Sequence, residues 1–197
     1  MQVHNSWSDD GPAGHPGRPD AAPPTVGVCF VCSGNICRSP IAEVVFRHAI
    51  EQAGLCGQVV VDSAGTGDWH IGEGADHRAV TILARHGYDG SAHRARQFDP
   101  AWFAERQFVI ALDSGHLRTL RSWAPSAPAR DQVQLLRSFD PAVVARAAAS
   151  GRPRELDVPD PYYDDLEAFA EVLDMVESAS AGLLEAVRAR LSAALDG

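Results

Sequence analysis

A cysteine and an arginine six positions apart, with glycine and asparagine between them, are residue types that can hold and attack a phosphate. They occur here in Cys32-Ser33-Gly34-Asn35-Ile36-Cys37-Arg38-Ser39-Pro40. The spacing alone is weak evidence in a chain with four cysteines and seventeen basic residues, all of them arginine. Its setting gives it force, because the segment lies between an apolar run and a helix-like stretch. A tight loop ending at a helix N-terminus turns several backbone N–H groups inward and forms an anion-binding nest. Gly34 and Asn35 are the types that tolerate the positive φ such a curl needs. Arg38 can offer a bidentate fork to two phosphate oxygens. A thiol at the floor of so electropositive a bowl can fall from a pKa of ~8.5 into the ~3.5–7.5 range, which makes Cys32 a candidate thiolate nucleophile. The loop has neither the lysine nor the glycine spacing of a nucleotide-binding P-loop.

The other cysteines divide by position. Cys29, inside the apolar run, reads as packing, and Cys56 as inert. Cys37 shares the tight loop with Cys32, so packing and a reversible disulfide with Cys32 both remain open. The four cysteines do not form a C-x2-C…C-x2-C tetrad, and no metal or cofactor is expected.

These residues need a frame. Val26-Gly27-Val28-Cys29-Phe30-Val31 is continuously apolar, as in a strand buried on both faces. Pro40 to Ala53 reads as a helix, with Ser39 as N-cap, Pro40 in the first turn and Gly54 as terminator. Val59–Val61 and Phe108–Leu112 read as further strands, and Gln132 to Phe139 as a fourth. Helices are expected at 76–86 and from about Ser114 to Trp123. A short alanine-rich helix fits between Asp140-Pro141 and Ser150-Gly151. Leu166, Phe169, Leu173, Val176, Leu184, Val187 and Leu191 lie at helical spacing. Alternating strands and helices imply an α/β fold with a parallel sheet and right-handed crossovers, which places active loops at the carboxyl ends of strands.

Composition bounds the rest. The chain of 197 residues is 45% hydrophobic and carries a formal charge of −9. That balance suits a globular domain and disfavours attraction to nucleic acid or an acidic membrane. No apolar run approaches a membrane span and no signal-peptide pattern opens the chain, so the cytoplasm is expected. Residues 1–24 contain five prolines and three glycines and read as a disordered tail. The domain is expected over 25–197.

From Val28 through Glu43 the chain resembles the signature of low-molecular-weight protein tyrosine phosphatases, roughly V-C-x-G-N-I-C-R-S-P-x-A-E, and fits the bacterial branch best. The resemblance continues through Asp62-Ser63-Ala64-Gly65-Thr66, Trp69-His70, His93-Arg94-Ala95-Arg96 and Asp160-Pro161-Tyr162-Tyr163. It implies a three-layer fold, a four-stranded parallel sheet with helices on both faces. It also implies a two-step, metal-free reaction through a phosphocysteine on Cys32, with Arg38 holding the phosphate and Asp160 as general acid and then base. Ser39 would donate to the thiolate, and Asn35, Ser63 and His93 would support the loop. Ser33, Gly34, Asn35, Ile36, Cys37 and Ser39 would surround the phosphate. Trp69, His70, Tyr162 and Tyr163 would line a deep aromatic slot suited to a phenyl ring. Tyrosine-phosphorylated proteins are the implied substrates, inorganic phosphate the product and a monomer the expected state.

Alternatives are an arsenate reductase or phosphoarginine phosphatase of the same fold, or a non-catalytic phosphotyrosine reader. The first would need relay cysteines, and none follows Cys56. The second tends to carry threonine at the place of Ile36 and to lack the paired tyrosines. The intact Cys32, Arg38 and Asp160 argue against the third. Asp113, just past the third strand, reads equally as a loop brace or a solvated surface residue. Two departures from the family, Asp76-His77-Arg78 and the long stretch from Phe139 to Asp160, are read as not touching the named chemistry, the second as able to alter the cleft rim and substrate choice.

Overall fold

The computed structural model describes residues 25–195; the tail expected at 1–24 lies outside the described residues. Its centre is β1 (Val26–Cys32), whose seven residues are all buried. Along β1 the side chains alternate between two cores. Val28, Phe30 and Cys32 join one cluster, while Cys29 and Val31 join the other. A strand covered on both faces has no polar side to show, which accounts for its unbroken apolar sequence.

Helix α1 (Arg38–Gln52) follows the loop and leads to β2 (Val59–Gly65), then α2 (His77–Arg85). A 3₁₀ turn at Pro100–Ala104 precedes β3 (Phe108–Ala111), α3 (Ser114–Trp123), the short α4 (Ala127–Asp131) and β4 (Val133–Leu135). Helix α5 (Pro141–Ser150) and the thirty-residue α6 (Leu166–Leu195) complete the described residues. The sheet has the order β2-β1-β3-β4, and every pairing is parallel. Ile41, Phe46 and Ile50 of α1 and Phe169, Leu173 and Val187 of α6 pack on one face. Leu120 of α3 and Ala129 of α4 pack on the other, with Phe98 and Phe103. This is the three-layer arrangement implied by the resemblance. Fully burying side chains such as Phe30 and Phe169 contributes roughly 1.5–3 kcal/mol apiece.

Three local expectations change. Helix α1 starts at Arg38, with Cys37 in the cap position and no side-chain cap bond; Ser39 therefore sits within the first turn and its hydroxyl points to the cysteine below. The fourth strand stops at Leu135 and continues as a 3₁₀ turn over Leu136–Phe139, which carries Leu136 into the opposite core. Among the loop residues it is Asn35 that adopts positive φ, at 58°. Gly34 does not, and its role is space.

Candidate active site

The loop after β1 is held from beneath by buried, mutually hydrogen-bonded side chains. Asn35 is fully buried. Its Nδ2 donates to Ser39 Oγ at 2.9 Å and to Ser63 Oγ at 2.8 Å, while its Oδ1 accepts from Arg96 N at 3.0 Å. These bonds stabilise the left-handed backbone that Asn35 adopts. His93 donates from Nε2 to the carbonyl of Asn35 at 2.7 Å. Ser63 in turn donates to Glu43 at 2.5 Å, and Arg47 pairs with the same carboxylate. Burial works to raise the Glu43 carboxyl, but hydrogen bonds from His93 and Ser63 outweigh it and hold the group below the usual carboxylate range.

Ser39 Oγ lies 3.0 Å from Cys32 Sγ and 3.3 Å from the carbonyl of Ala64. Asn35 already donates to this hydroxyl, so its single proton is available for the carbonyl or the sulfur. A sulfur anion would favour the second, since charge-assisted bonds are the stronger. The helix N-terminus above adds backbone N–H groups that lack intrahelical acceptors.

Arg38 is 3% exposed and emerges beside the cysteine. Its Nη1 donates to Asp113 Oδ2 at 2.9 Å and to the carbonyl of Val158 at 3.2 Å. Its Nη2 donates to Asp160 Oδ2 at 2.7 Å. The Nε is buried without a hydrogen-bond partner. One end of the guanidinium is thus anchored, and Nε keeps an unused donor. Asp113 is a brace and not a solvated surface residue. It caps α3 by accepting from His116 N at 2.9 Å as well as holding Arg38. Burial alone would raise its carboxyl, yet the His116 amide and the Arg38 charge keep it low.

Cys32, Ser33, Gly34, Ile36, Cys37 and Arg38 form the floor of a cavity of about 220 Å³, and Trp69, His70, Asp160, Tyr162 and Tyr163 form its walls. Asn35 and Ser39 lie beneath that floor and not on it. A Cβ on Gly34 would come within 2.7 Å of the His70 ring, so the glycine lets the wall rest on the loop. A Cβ on Gly67 would strike the Trp69 ring at 1.9 Å, so Trp69 likewise lies on bare backbone. The aromatic walls are more open than expected: Trp69 is 69% exposed and Tyr163 94%, with Tyr162 at 38%. The tyrosine rings meet edge to face with centroids 4.9 Å apart.

All four cysteines are free. Cys37 is a neutral thiol, pushed up to about 12 first by burial and then by the charge of Asp76.

Several participants have little sequence signal. His116 Nε2 lies 2.9 Å from Ser33 Oγ and its Nδ1 3.1 Å from Asp113 Oδ1. Burial drives its pKa down to about 4 against the opposing Asp113 charge, so the ring is neutral near pH 7. Only its position three residues after a helix-capping aspartate hinted at this. Glu43 was visible as the last residue of the phosphate-loop signature. The carbonyl of Val158 had no sequence signal at all.

Comparison with known proteins identifies a family. The profile described as low molecular weight phosphotyrosine protein phosphatase matches residues 27–193. The chain belongs to that family. A low molecular weight protein-tyrosine-phosphatase of Streptomyces coelicolor is 58% identical over 164 residues, covering 83% of this chain and 94% of the relative. Low molecular weight protein-tyrosine phosphatase A of Mycobacterium tuberculosis is 45% identical over 84% of this chain and 93% of its own. Among solved structures, a protein tyrosine phosphatase of Entamoeba histolytica with Hepes in its active site superposes with a TM-score of 0.74. It is 28% identical, with coverage of 83% of this chain and 97% of that one. The family supplies the phosphatase frame; the distances above come from this chain's own residues.

Proposed function

We propose that the chain is a protein-tyrosine phosphatase that works through a phosphocysteine on Cys32. The observation that carries this is the convergence of Cys32, Arg38 and Asp160 on one cavity with an aromatic rim. A phosphate dianion entering the cavity meets the loop amides and the Nε–Nη2 edge of Arg38, and Nη2 exchanges Asp160 for a phosphate oxygen. Asp160 is then free to turn toward the ester oxygen.

In the first step the Cys32 sulfur attacks phosphorus while the bond to the tyrosyl oxygen breaks. Protonated Asp160 gives its proton to that oxygen, because a phenolate whose acid has a pKa of ~10 leaves poorly unaided. In the second step Asp160 takes a proton from water, the water oxygen bonds to phosphorus, and the sulfur leaves as a thiolate that Ser39 stabilises. Arg38 and the amides balance charge on the equatorial oxygens throughout. Tyr162, Tyr163, Trp69 and His70 accept the flat phenyl ring. A monomer acting in the cytoplasm on tyrosine-phosphorylated proteins, releasing inorganic phosphate, completes the reading. The charge of −9 supports protein over nucleic-acid partners.

The test is turnover of aryl phosphates. Asp160→Asn should lose ~10²–10⁴-fold on phenyl phosphate and clearly less on para-nitrophenyl phosphate, whose leaving group needs less help. Equal losses on both would remove Asp160 from the role of acid. Quenching wild-type turnover with acid should trap one phosphate per chain on Cys32, and a chain that turns over without this adduct would rule out the covalent route.

A further inference from the structure

The segment Asp76-His77-Arg78, read from sequence as remote from the chemistry, sits between the phosphate loop and the acid. Asp76 caps α2, and its backbone N–H donates to the carbonyl of Ile36 on the loop at 2.8 Å. Its carboxylate receives Arg78 in a two-point pair, Nε to Oδ1 at 3.0 Å and Nη2 to Oδ2 at 2.8 Å. From that fixed position Arg78 reaches across to the segment carrying the acid. Nη2 donates to the carbonyl of Tyr162 at 2.9 Å and Nη1 to the carbonyl of Asp164 at 2.7 Å. The guanidinium carbon lies 4.7 Å from the centre of the Phe169 ring at the start of α6, so its plane is confined from a third side.

Among the described residues, the hydrogen bonds that reach 160–164 from distant parts of the chain come from two guanidinium groups. One is Arg38 on Asp160, and the other is Arg78 on the two carbonyls. The first must be surrendered when phosphate takes Nη2 of Arg38. The second has main-chain acceptors and its own carboxylate anchor, so substrate does not compete for it.

We propose that Arg78, clasped by Asp76, is a positioning residue that holds Asp160 and Tyr162 over the phosphate loop while Arg38 changes partners. This rests on the reading of Asp160 as the general acid. The planar fork matters: a guanidinium can serve a carboxylate and two carbonyls together, whereas an ammonium on a flexible stem offers a single point. Its loss leaves Cys32, Arg38 and the loop amides intact and lets the acid drift, and small displacements of a proton donor are expensive in rate.

The experiment compares full-length wild type, Arg78→Gln, Arg78→Lys, Asp160→Asn and the Arg78→Gln/Asp160→Asn double variant on aryl phosphates of graded leaving-group acidity. Arg78→Gln should lose roughly tenfold on phenyl phosphate but only a few-fold on para-nitrophenyl phosphate. Arg78→Lys should recover part of that loss. The double variant should show no more leaving-group sensitivity than Asp160→Asn alone, because Arg78 acts through that residue. Iodoacetate should alkylate Cys32 of Arg78→Gln at the wild-type rate, with the same protection by inorganic phosphate; a damaged loop would change both. An equal loss on every ester, or none, beside a leaving-group-dependent Asp160→Asn overturns the clasp and leaves the acid standing. A leaving-group-independent Asp160→Asn overturns both. Should Arg78→Gln melt below the assay temperature, Arg78→Lys is read instead: the same signature at smaller amplitude supports the clasp, and its absence overturns it.

Discussion

Asn35, Ser39 and Ser63 below the phosphate loop are at most 2% exposed and hydrogen-bonded to one another, whereas Trp69 and Tyr163 above it project mostly into solvent. The two regions lie on opposite sides of the phosphate loop and are built by opposite rules. Below, each polar group is matched, so a lost partner leaves a buried donor or acceptor unsatisfied at a cost of about 1–3 kcal/mol. Above, rings rest on glycine and on one another, and substitution removes contact area without stranding a polar atom. The floor can afford only one geometry, as phosphoryl transfer requires, while the rim is free to vary with the protein that carries the phosphotyrosine.

Five substitutions would sharpen or break that contrast. Cys32→Ser should abolish turnover to background on every ester while leaving the melting temperature near that of wild type; residual steady-state turnover would mean that another nucleophile serves. Asn35→Ala should lose both activity and stability, the latter by several kcal/mol, since two hydroxyls lose a donor and a left-handed backbone loses its compatible residue. Asn35→Gly should recover the backbone part, about 1 kcal/mol, and urea titration of the pair separates the two contributions. Equal stabilities for all three proteins would deny the floor its rigidity.

The pH dependence of stability gives a smaller effect. His116 is depressed to about 4 in the folded chain from an unfolded value of ~6.5. Between these values the unfolded chain binds a proton that the folded one does not, so stability falls as pH drops through that window. The full shift corresponds to about 3 kcal/mol. His116→Gln should flatten this slope in urea melts at pH 4–7, and an unchanged slope would assign it to other groups. Smallest of all, Tyr163→Ala should change stability by less than ~0.5 kcal/mol and raise KM for phosphotyrosyl peptides more than it lowers kcat. A large drop in melting temperature would show that the rim is structural after all.

The contrast also explains what could be read in the sequence. Strand β1 was legible because burial on both faces leaves a continuous apolar run, and the loop because a cysteine, a positive-φ asparagine and an arginine follow in strict spacing. Ser39 was misassigned as a cap for a physical reason: a serine before proline at a helix start satisfies capping preferences whether its hydroxyl turns to the backbone or to a neighbouring sulfur. Gly34 was credited with an unusual φ when its function is to admit the His70 ring, a contact between segments 36 residues apart that no local pattern encodes. Arg78 was set aside because its partners on the segment carrying Asp160 are carbonyls, which every residue type presents alike. Strand β4 was drawn too long because its apolar residues continue into a 3₁₀ turn that buries them equally well.

Arg38 finds its countercharges 75 and 122 positions further along the chain. Strand β3 must lie beside β1 before Asp113 can reach it, and residues up to 160 must be in place before the proposed proton donor exists. A nascent or truncated polypeptide would therefore display the thiol long before it could use it, and catalytic competence would arrive as one of the last events of folding. The appearance of activity during refolding is thus a clock for completed topology, independent of any spectroscopic signal from the helices.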